Sequence, residues 1–189
     1  MCDVPVKGTH AHSWIMSFAD EYTAFKTYAK LYPDACCLLV DTYDTLKSGV
    51  PNAIKVFTEM RESGIELHNY GIRLDSGDLA YLSKKARKML DEAGFEDAFI
   101  SASNDLDEYL IHDLKIQGAA ITSWGVGTNL ITSKDCPSFG GVYKLAAIQK
   151  EDGKFHSKIK LSENTEKITN PGNKTVYRIY DKATGKMRA

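Results

Sequence analysis

Four short apolar runs dominate the first two thirds of the chain: "ACCLLVD" (35–41), "ELHNYGIRLD" (66–75), "DAFISAS" (97–103) and "GAAITSW" (118–124). They begin roughly 20 to 30 residues apart, which is about the size of one βα unit. Parallel strands need a long crossover between them, so the rhythm predicts an α/β fold built on a parallel sheet. The intervening segments carry helical periodicity. From 77 to 93, Leu79, Leu82, Ala86, Met89, Leu90 and Ala93 share one face, Lys84, Lys85, Arg87 and Lys88 lie mostly elsewhere, and Gly94 is the stop. Pro51 suits the first turn of a helix carrying Ile54, Phe57 and Met60 and ending at Gly64. Leu106, Tyr109, Leu110 and Leu114 mark another before Gly118, and Glu21 to Leu31 is a helix closed before Pro33.

The rhythm changes after about residue 140. "GGVYKLAAI", "KFHSKIKLS" and "KTVYRIYD" read as strands separated by "KEDG" and "TNPGN" turn chemistry, so this part is expected to be antiparallel. The organisation expected is a βα catalytic portion over 1–140 and a β-rich segment over 141–189 that returns to a second layer. Four or five βα units are too few to close an eight-unit barrel, which predicts that the chain is a piece of a larger fold.

Composition narrows the functional classes. At 189 residues and 43% hydrophobic content the chain can bury a real core. Its 24 basic and 25 acidic residues give a net charge of -1, so charge supplies no reason to expect nucleic acid or an anionic membrane as partner. No apolar stretch approaches the roughly 20 residues of a membrane span, and the N-terminus lacks a signal pattern, so the expectation is a cytosolic enzyme. Cys2, Cys36, Cys37 and Cys136 form no CxxC, which argues against zinc and disulfides.

Ligands of parallel α/β folds bind at the carboxyl ends of the strands, and here those loops are polar in succession. "GTHAHS" (8–13) follows the extended-looking "DVPVK"; Asp41 and Asp44 follow the next run; Arg73, Asp75 and Asp78 sit in "RLDSGD"; Ser103, Asn104 and Asp105 sit in "SASND"; and "GVGT" supplies Gly125, Gly127 and Thr128. Each has a bland reading. Asp75 or Ser76 could cap the helix beginning near Asp78, "GVGT" could be a plain tight turn, and Asp41 could brace its loop. His10 and His12 could share a strand face and a metal, or a strand-to-helix turn could present one imidazole to a pocket. Together the loops suit a phosphorylated sugar: glycine turns expose backbone N–H groups to phosphate, Arg73 offers a guanidinium fork, and carboxylates hold Mg²⁺ or ribose hydroxyls. An aspartyl-nucleophile phosphohydrolase fits less well, because Asp41 and Asp44 are spaced DxxD rather than DxD.

In order along the chain, "GTHAHSWIMSF", "LLVDTYDTLKSGVPNAIKV", "GIRLDSGDLAYLSKKARKMLDEAGF", "ISASNDLDE", "GVGTNLITS" and "FGGVYKLA" closely resemble nicotinate phosphoribosyltransferase. The resemblance implies an irregular βα barrel of the type II phosphoribosyltransferase kind. It also implies formation of nicotinate mononucleotide and pyrophosphate from nicotinate and phosphoribosyl pyrophosphate, within NAD biosynthesis. The reaction would be coupled to ATP hydrolysis through a phosphohistidine, with Mg²⁺ on the pyrophosphate. The family pattern Gly-Thr-x-Ala-His assigns the phosphate to His12 and leaves His10 at the variable place. Arg73 and Asp75 would contact the phosphoribosyl part, with Asp75 orienting the reacting assembly. Ser103, Asn104 and Asp105 would line the ribose and pyrophosphate side, while Gly125, Gly127 and Thr128 would hold the 5′-phosphate. The family also implies a homodimer, and an N-terminal layer enclosing the nicotinate ring that does not precede Met1. The chain is therefore expected to be truncated at both ends, and on its own to bind phosphoribosyl compounds with little or no turnover.

Overall fold

The computed structural model describes residues 8–132, 142–161 and 168–187. The strand expected at "DVPVK", together with Cys2 and Cys136, lies outside the described residues.

Aspartates set the helix starts. A residue with a short carboxylate just before an apolar-periodic segment can accept from the orphan N–H groups of the first turn. Asp20 does so from Thr23 and opens α2 (Glu21–Leu31); Asp78 does so from Tyr81 and opens α4 (Leu79–Glu92); Asp107 does so from Leu110 and opens α5 (Glu108–Ile116). Asp44 caps in the same way from Lys47, but there the chain first makes a π-helical turn, Thr45–Gly49, that runs into α3 (Val50–Glu62). Gly49 is required in that turn, because a Cβ on it would lie 1.8 Å from the Val40 carbonyl oxygen. α1 (His12–Met16) precedes α2, and α6 (Thr128–Ile131) follows the glycine turn.

The expected parallel sheet forms, with strands β1 (Cys37–Leu39), β2 (Gly71–Leu74), β3 (Phe99–Ala102) and β4 (Ser123–Trp124) in the order β1-β2-β3-β4. Cys37 pairs with Gly71, Arg73 with Ser101, and Ala102 with Trp124. Strand order that follows chain order requires every crossover to step the same way, and the right-handed rule then places the helices on one face. Leu38, Ile72, Leu74, Ile100 and Ala102 meet those helices and are fully buried. Their alternate neighbours face the other way, and this second face carries Arg73, Ser101 and Ser103.

Phe57 is a centre of the helix-side core. It is fully buried and meets Tyr70 and Phe95 at ring separations of 5.0 and 5.8 Å. Phe57→Ala should cost about 3 to 5 kcal/mol, the range for emptying such a site. Urea unfolding would measure it as a lowered midpoint at unchanged slope.

Two strand expectations need correction. "GAAITSW" contributes only Ser123 and Trp124 to the sheet, because Gly118 turns at φ 70 and Ile121 points into the core before pairing begins. Beyond residue 140, β5 (Ala147–Gln149) and β6 (Phe155–Ser157) form the expected antiparallel pair. "KTVYRIYD" forms no strand, and its one pairing is a bridge from Tyr180 to Met187. Val176 and Tyr177 are almost wholly exposed there. β-propensity expresses packing against neighbours, and this segment packs against none among the described residues.

Candidate active site

At the carboxyl ends of β1, β2 and β3, polar side chains converge by way of the backbone ladder. Asp41 is buried and its Oδ2 accepts from the Asp75 N–H at 2.9 Å and the Ser76 hydroxyl at 2.6 Å. It therefore braces the β2 loop from the β1 loop. Arg73 donates from Nη2 to Asp75 Oδ1 at 2.9 Å and from Nε to the Ser103 hydroxyl at 2.7 Å, and Ser103 in turn donates to Asp75 Oδ1. Burial opposes ionisation of Asp75, but it is outweighed by His12, the Ser103 hydroxyl and the Arg73 guanidinium, which together hold the carboxyl well below the usual range. Asp75 is thus a fixed anion. The cap reading of Asp75 and Ser76 is corrected: Asp78 caps α4, which leaves Asp75 to the cluster.

The two histidines part company at the entrance to α1. His10 is 6% exposed, packs edge-on to Tyr28 with ring centroids 4.6 Å apart, and its Nε2 accepts from the Leu39 N–H at 3.2 Å. It fills a strand-like position as a neutral ring. His12 turns the other way and keeps part of its surface open. Its Nδ1 lies 3.0 Å from the Thr42 hydroxyl, and its Nε2 lies 3.7 Å from Asp75 Oδ2 and 3.9 Å from Asp41 Oδ1. Those last separations exceed a hydrogen bond, so the coupling to the carboxylates is electrostatic. Among the described residues there is no group of three or more His, Cys, Asp or Glu placed to hold a metal ion, and the two rings engage different partners, the Leu39 N–H for His10 and the Thr42 hydroxyl for His12.

Burial lowers the His10 pKa to about 4, well under its ordinary 6.5. The folded form then binds fewer protons than the unfolded chain between those two values, so stability must fall as pH drops through that window. The loss should reach about 3 kcal/mol near pH 4. Chemical denaturation at pH 7 and pH 4.5 would show it, and His10→Gln should flatten most of the difference.

The remaining predicted residues stand on the next two loops. Asn104 and Asp105 follow β3 with left-handed backbones, φ 85 and φ 49. The Gly125 N–H donates to the Ala102 carbonyl at 2.7 Å, so "GVGT" leaves the edge of the sheet beside Ser103. Gly127 stands open: a Cβ on it would meet nothing within 4 Å, and its φ of -118 is not a glycine-only value. The close approach is at Gly125, where a Cβ would lie 3.3 Å from Ser103 Cβ. His12, Arg73, Asp75 and Ser103 are brought into one cluster, while Asn104, Asp105, Gly125, Gly127 and Thr128 form an adjoining rim. Thr42 and Asn129 were not singled out by sequence reasoning. Thr42 lies beside Asp41 in "VDTYDT", but nothing in the spacing shows that its hydroxyl meets an imidazole.

A cleft of about 1310 Å³ runs along the second face of the sheet, from Cys37 and Phe99 to Arg73, Ser103 and Gly125, with Trp124 on its wall and Trp14 of α1 and Tyr28 and Leu31 of α2 also lining it. His12 and Asp75 are not on that wall. Arg73 and Ser103, which are, bond Asp75 and so join the cleft to the cluster. Cys37 on the cleft and its neighbour Cys36 are buried free thiols that burial pushes up to about 11 and about 12, so they are inert packing groups. Among the described residues no helix is long and apolar enough to cross a membrane.

No family model matches the chain. It is 61% identical over 181 residues to the nicotinate phosphoribosyltransferase of Bacillus subtilis, an alignment covering 96% of this chain and 36% of the relative. It is 38% identical to the nicotinate phosphoribosyltransferase of Dictyostelium discoideum, covering 94% of this chain and 36% of that protein. Among solved structures it is similar to nicotinate phosphoribosyltransferase from Porphyromonas gingivalis, with a TM-score of 0.62 and 26% identity over 87% of this chain and 44% of the other. It shares its fold with the Vibrio cholerae protein of the same name, at a TM-score of 0.56 and 16% identity, over 86% of this chain and 40% of the other. The aligned region takes in every loop of the cluster, and the chain spans a little over a third of the length of the nicotinate phosphoribosyltransferases to which it is similar.

Proposed function

We propose that this chain carries the phosphoribosyl and phosphohistidine half of an ATP-coupled nicotinate phosphoribosyltransferase site, in NAD biosynthesis. The observation that carries the reading is the convergence of His12, Asp75, Arg73 and Ser103 at the ends of three adjacent parallel strands. Its all-parallel sheet in chain order, crossover helices to one side, supports an arc of an irregular βα barrel, with 1–140 as the catalytic portion and 141–189 as the β-rich segment. The near-neutral charge gives no reason to expect nucleic acid or an anionic membrane as partner, and a cytosolic homodimer follows from the likeness to the family.

Each residue has a job that its geometry supports. Arg73 lies on the cleft wall and offers positive charge to a phosphorylated ribose. Asp75 is held ionised where a sugar with oxocarbenium character would need an anion. Ser103, Asn104 and Asp105 would meet the ribose and pyrophosphate, and the N–H groups around Gly125, Gly127 and Thr128 would meet the 5′-phosphate. Carboxylates such as Asp75 in the cluster and Asp105 on the rim suit Mg²⁺ only as partial donors, which is how that ion is held when substrate phosphates complete its shell. When bound, Mg²⁺ would offset charge on the departing pyrophosphate.

At His12 the two carboxylates beside Nε2 favour a proton on that nitrogen and would repel an incoming phosphoryl group. The attacking lone pair then belongs to Nδ1 as Thr42 yields. An Nδ1–P bond forms while the Pγ–O bond of ATP breaks, and Asp41 and Asp75 stabilise the cationic ring. Calorimetric titration tests the binding half: phosphoribosyl pyrophosphate with Mg²⁺ should bind at least tenfold more tightly than ribose. Equal affinities would defeat the phosphoribosyl reading. Nicotinate, phosphoribosyl pyrophosphate, Mg²⁺ and ATP supplied to this chain alone should give little or no nicotinate mononucleotide.

A further inference from the structure

Asn104 and Asp105 stand in the left-handed region although neither is glycine. Such backbones persist only where their surroundings fix them. On one side the loop is fastened by Ser103, whose N–H donates to the Leu74 carbonyl at 3.0 Å and whose hydroxyl donates to Asp75. On the other side a side chain 24 residues away from Asp105 fastens it. Asn129 Nδ2 donates to the Asp105 carbonyl at 2.9 Å and to the Leu106 carbonyl at 3.2 Å. Two carbonyl oxygens demand two hydrogens, which fixes the orientation of that amide, since the flipped form would set oxygen against oxygen. Leu106 is almost wholly buried, so the clamp closes on an anchored residue.

We infer that Asn129 is a positioning residue, which locks the Asn104–Asp105 loop in its left-handed form and ties it to the glycine turn at one fixed spacing. The inference rests on the reading that these two loops bind phosphoribosyl pyrophosphate. A ligand spanning ribose and 5′-phosphate needs both loops at once, so a loosened clamp weakens binding without touching the ligand. The bonds of Asn129 run to the Asp105 and Leu106 carbonyls, whereas His12 meets Thr42, Asp41 and Asp75.

Asn129→Ala in the full chain is the test, read by amide hydrogen exchange, by calorimetry and by labelling of His12 from ATP. Exchange at residues 104–107 should accelerate at least tenfold while the amides of α5 keep their protection. The dissociation constant of phosphoribosyl pyrophosphate with Mg²⁺ should rise about tenfold, and the initial rate of His12 labelling should stay within twofold. Asn129→Asp, nearly isosteric but without the donors, should do the same or worse. Adding Asn104→Gly to Asn129→Ala should restore part of the protection, because glycine takes that φ without penalty. Unchanged exchange in both single variants, or further loosening in the double variant, would overturn the clamp. Unchanged affinity beside faster exchange would overturn the positioning role. If the unmodified chain bound no phosphoribosyl pyrophosphate, the proposed function would fall, and exchange alone would still decide whether Asn129 locks the loop.

Discussion

His12→Ala should abolish the acid-labile phosphate that the chain acquires from labelled ATP, lowering it on the order of 100-fold or more, as when a covalent nucleophile is removed. The expectation follows from placement. His12 is the one histidine that lies beside Thr42, Asp41 and Asp75 at the strand ends, whereas His10 is enclosed against Tyr28 with its Nε2 committed to Leu39. His10→Gln should therefore keep the label, and digestion of the unmodified chain should place it as the Nδ1 isomer. Thr42→Val, which removes the hydroxyl at 3.0 Å from Nδ1, should slow labelling severalfold through a less fixed ring. Label persisting in His12→Ala, or appearing on His10, would overturn the assignment. The His12→Ala chain should still fold, because His12 contributes no core packing.

Much of this was legible in the sequence, and what was not has physical reasons. Helix faces could be read because a period of 3.6 residues survives in the residue order: α2 and α4 lie where Glu21–Leu31 and Leu79 to Ala93 place them. The parallel sheet could be read from crossover length. Strand lengths could not, because a strand pairs only as far as its neighbour reaches, which cuts "GAAITSW" to Ser123 and Trp124. Within the loops, the four aspartates at 41, 44, 75 and 78 look alike in sequence. Asp44 and Asp78 prove to be helix caps, while Asp41 turns inward to the β2 loop and Asp75 is held by Arg73 and Ser103. Only tertiary placement separates those roles. Asn129 was invisible for a similar reason: its partners are backbone carbonyls 23 and 24 residues upstream, and carbonyls leave no mark in a sequence.

Asp41→Ala should be the most disruptive change in the cluster, and it separates two chemistries. The carboxylate is 5% exposed, with Oδ2 committed to the Asp75 N–H and the Ser76 hydroxyl and Oδ1 enclosed 3.9 Å from His12 Nε2. A nucleophile for phosphate esters must reach its substrate with a free oxygen, and this one cannot. Its work is to hold the β2 loop against the β1 loop and to set a negative charge beside the imidazole. Removal leaves an N–H and a hydroxyl without their acceptor, at a cost of about 2 to 4 kcal/mol for two bonds to a charged group. It also frees Asp75, so phosphoribosyl pyrophosphate affinity and His12 labelling should both fall at least tenfold. Asp41→Asn keeps an oxygen for one donor and loses the charge, so it should recover part of the stability but little of the labelling. Urea midpoints, calorimetry and labelling on the two variants supply the numbers. Hydrolysis of small phosphate esters should be at background in the unmodified chain and unchanged in Asp41→Asn. Measurable ester hydrolysis that disappears with Asp41→Asn, beside intact His12 labelling, would instead mark Asp41 as a nucleophile and undo the bracing role argued from its burial.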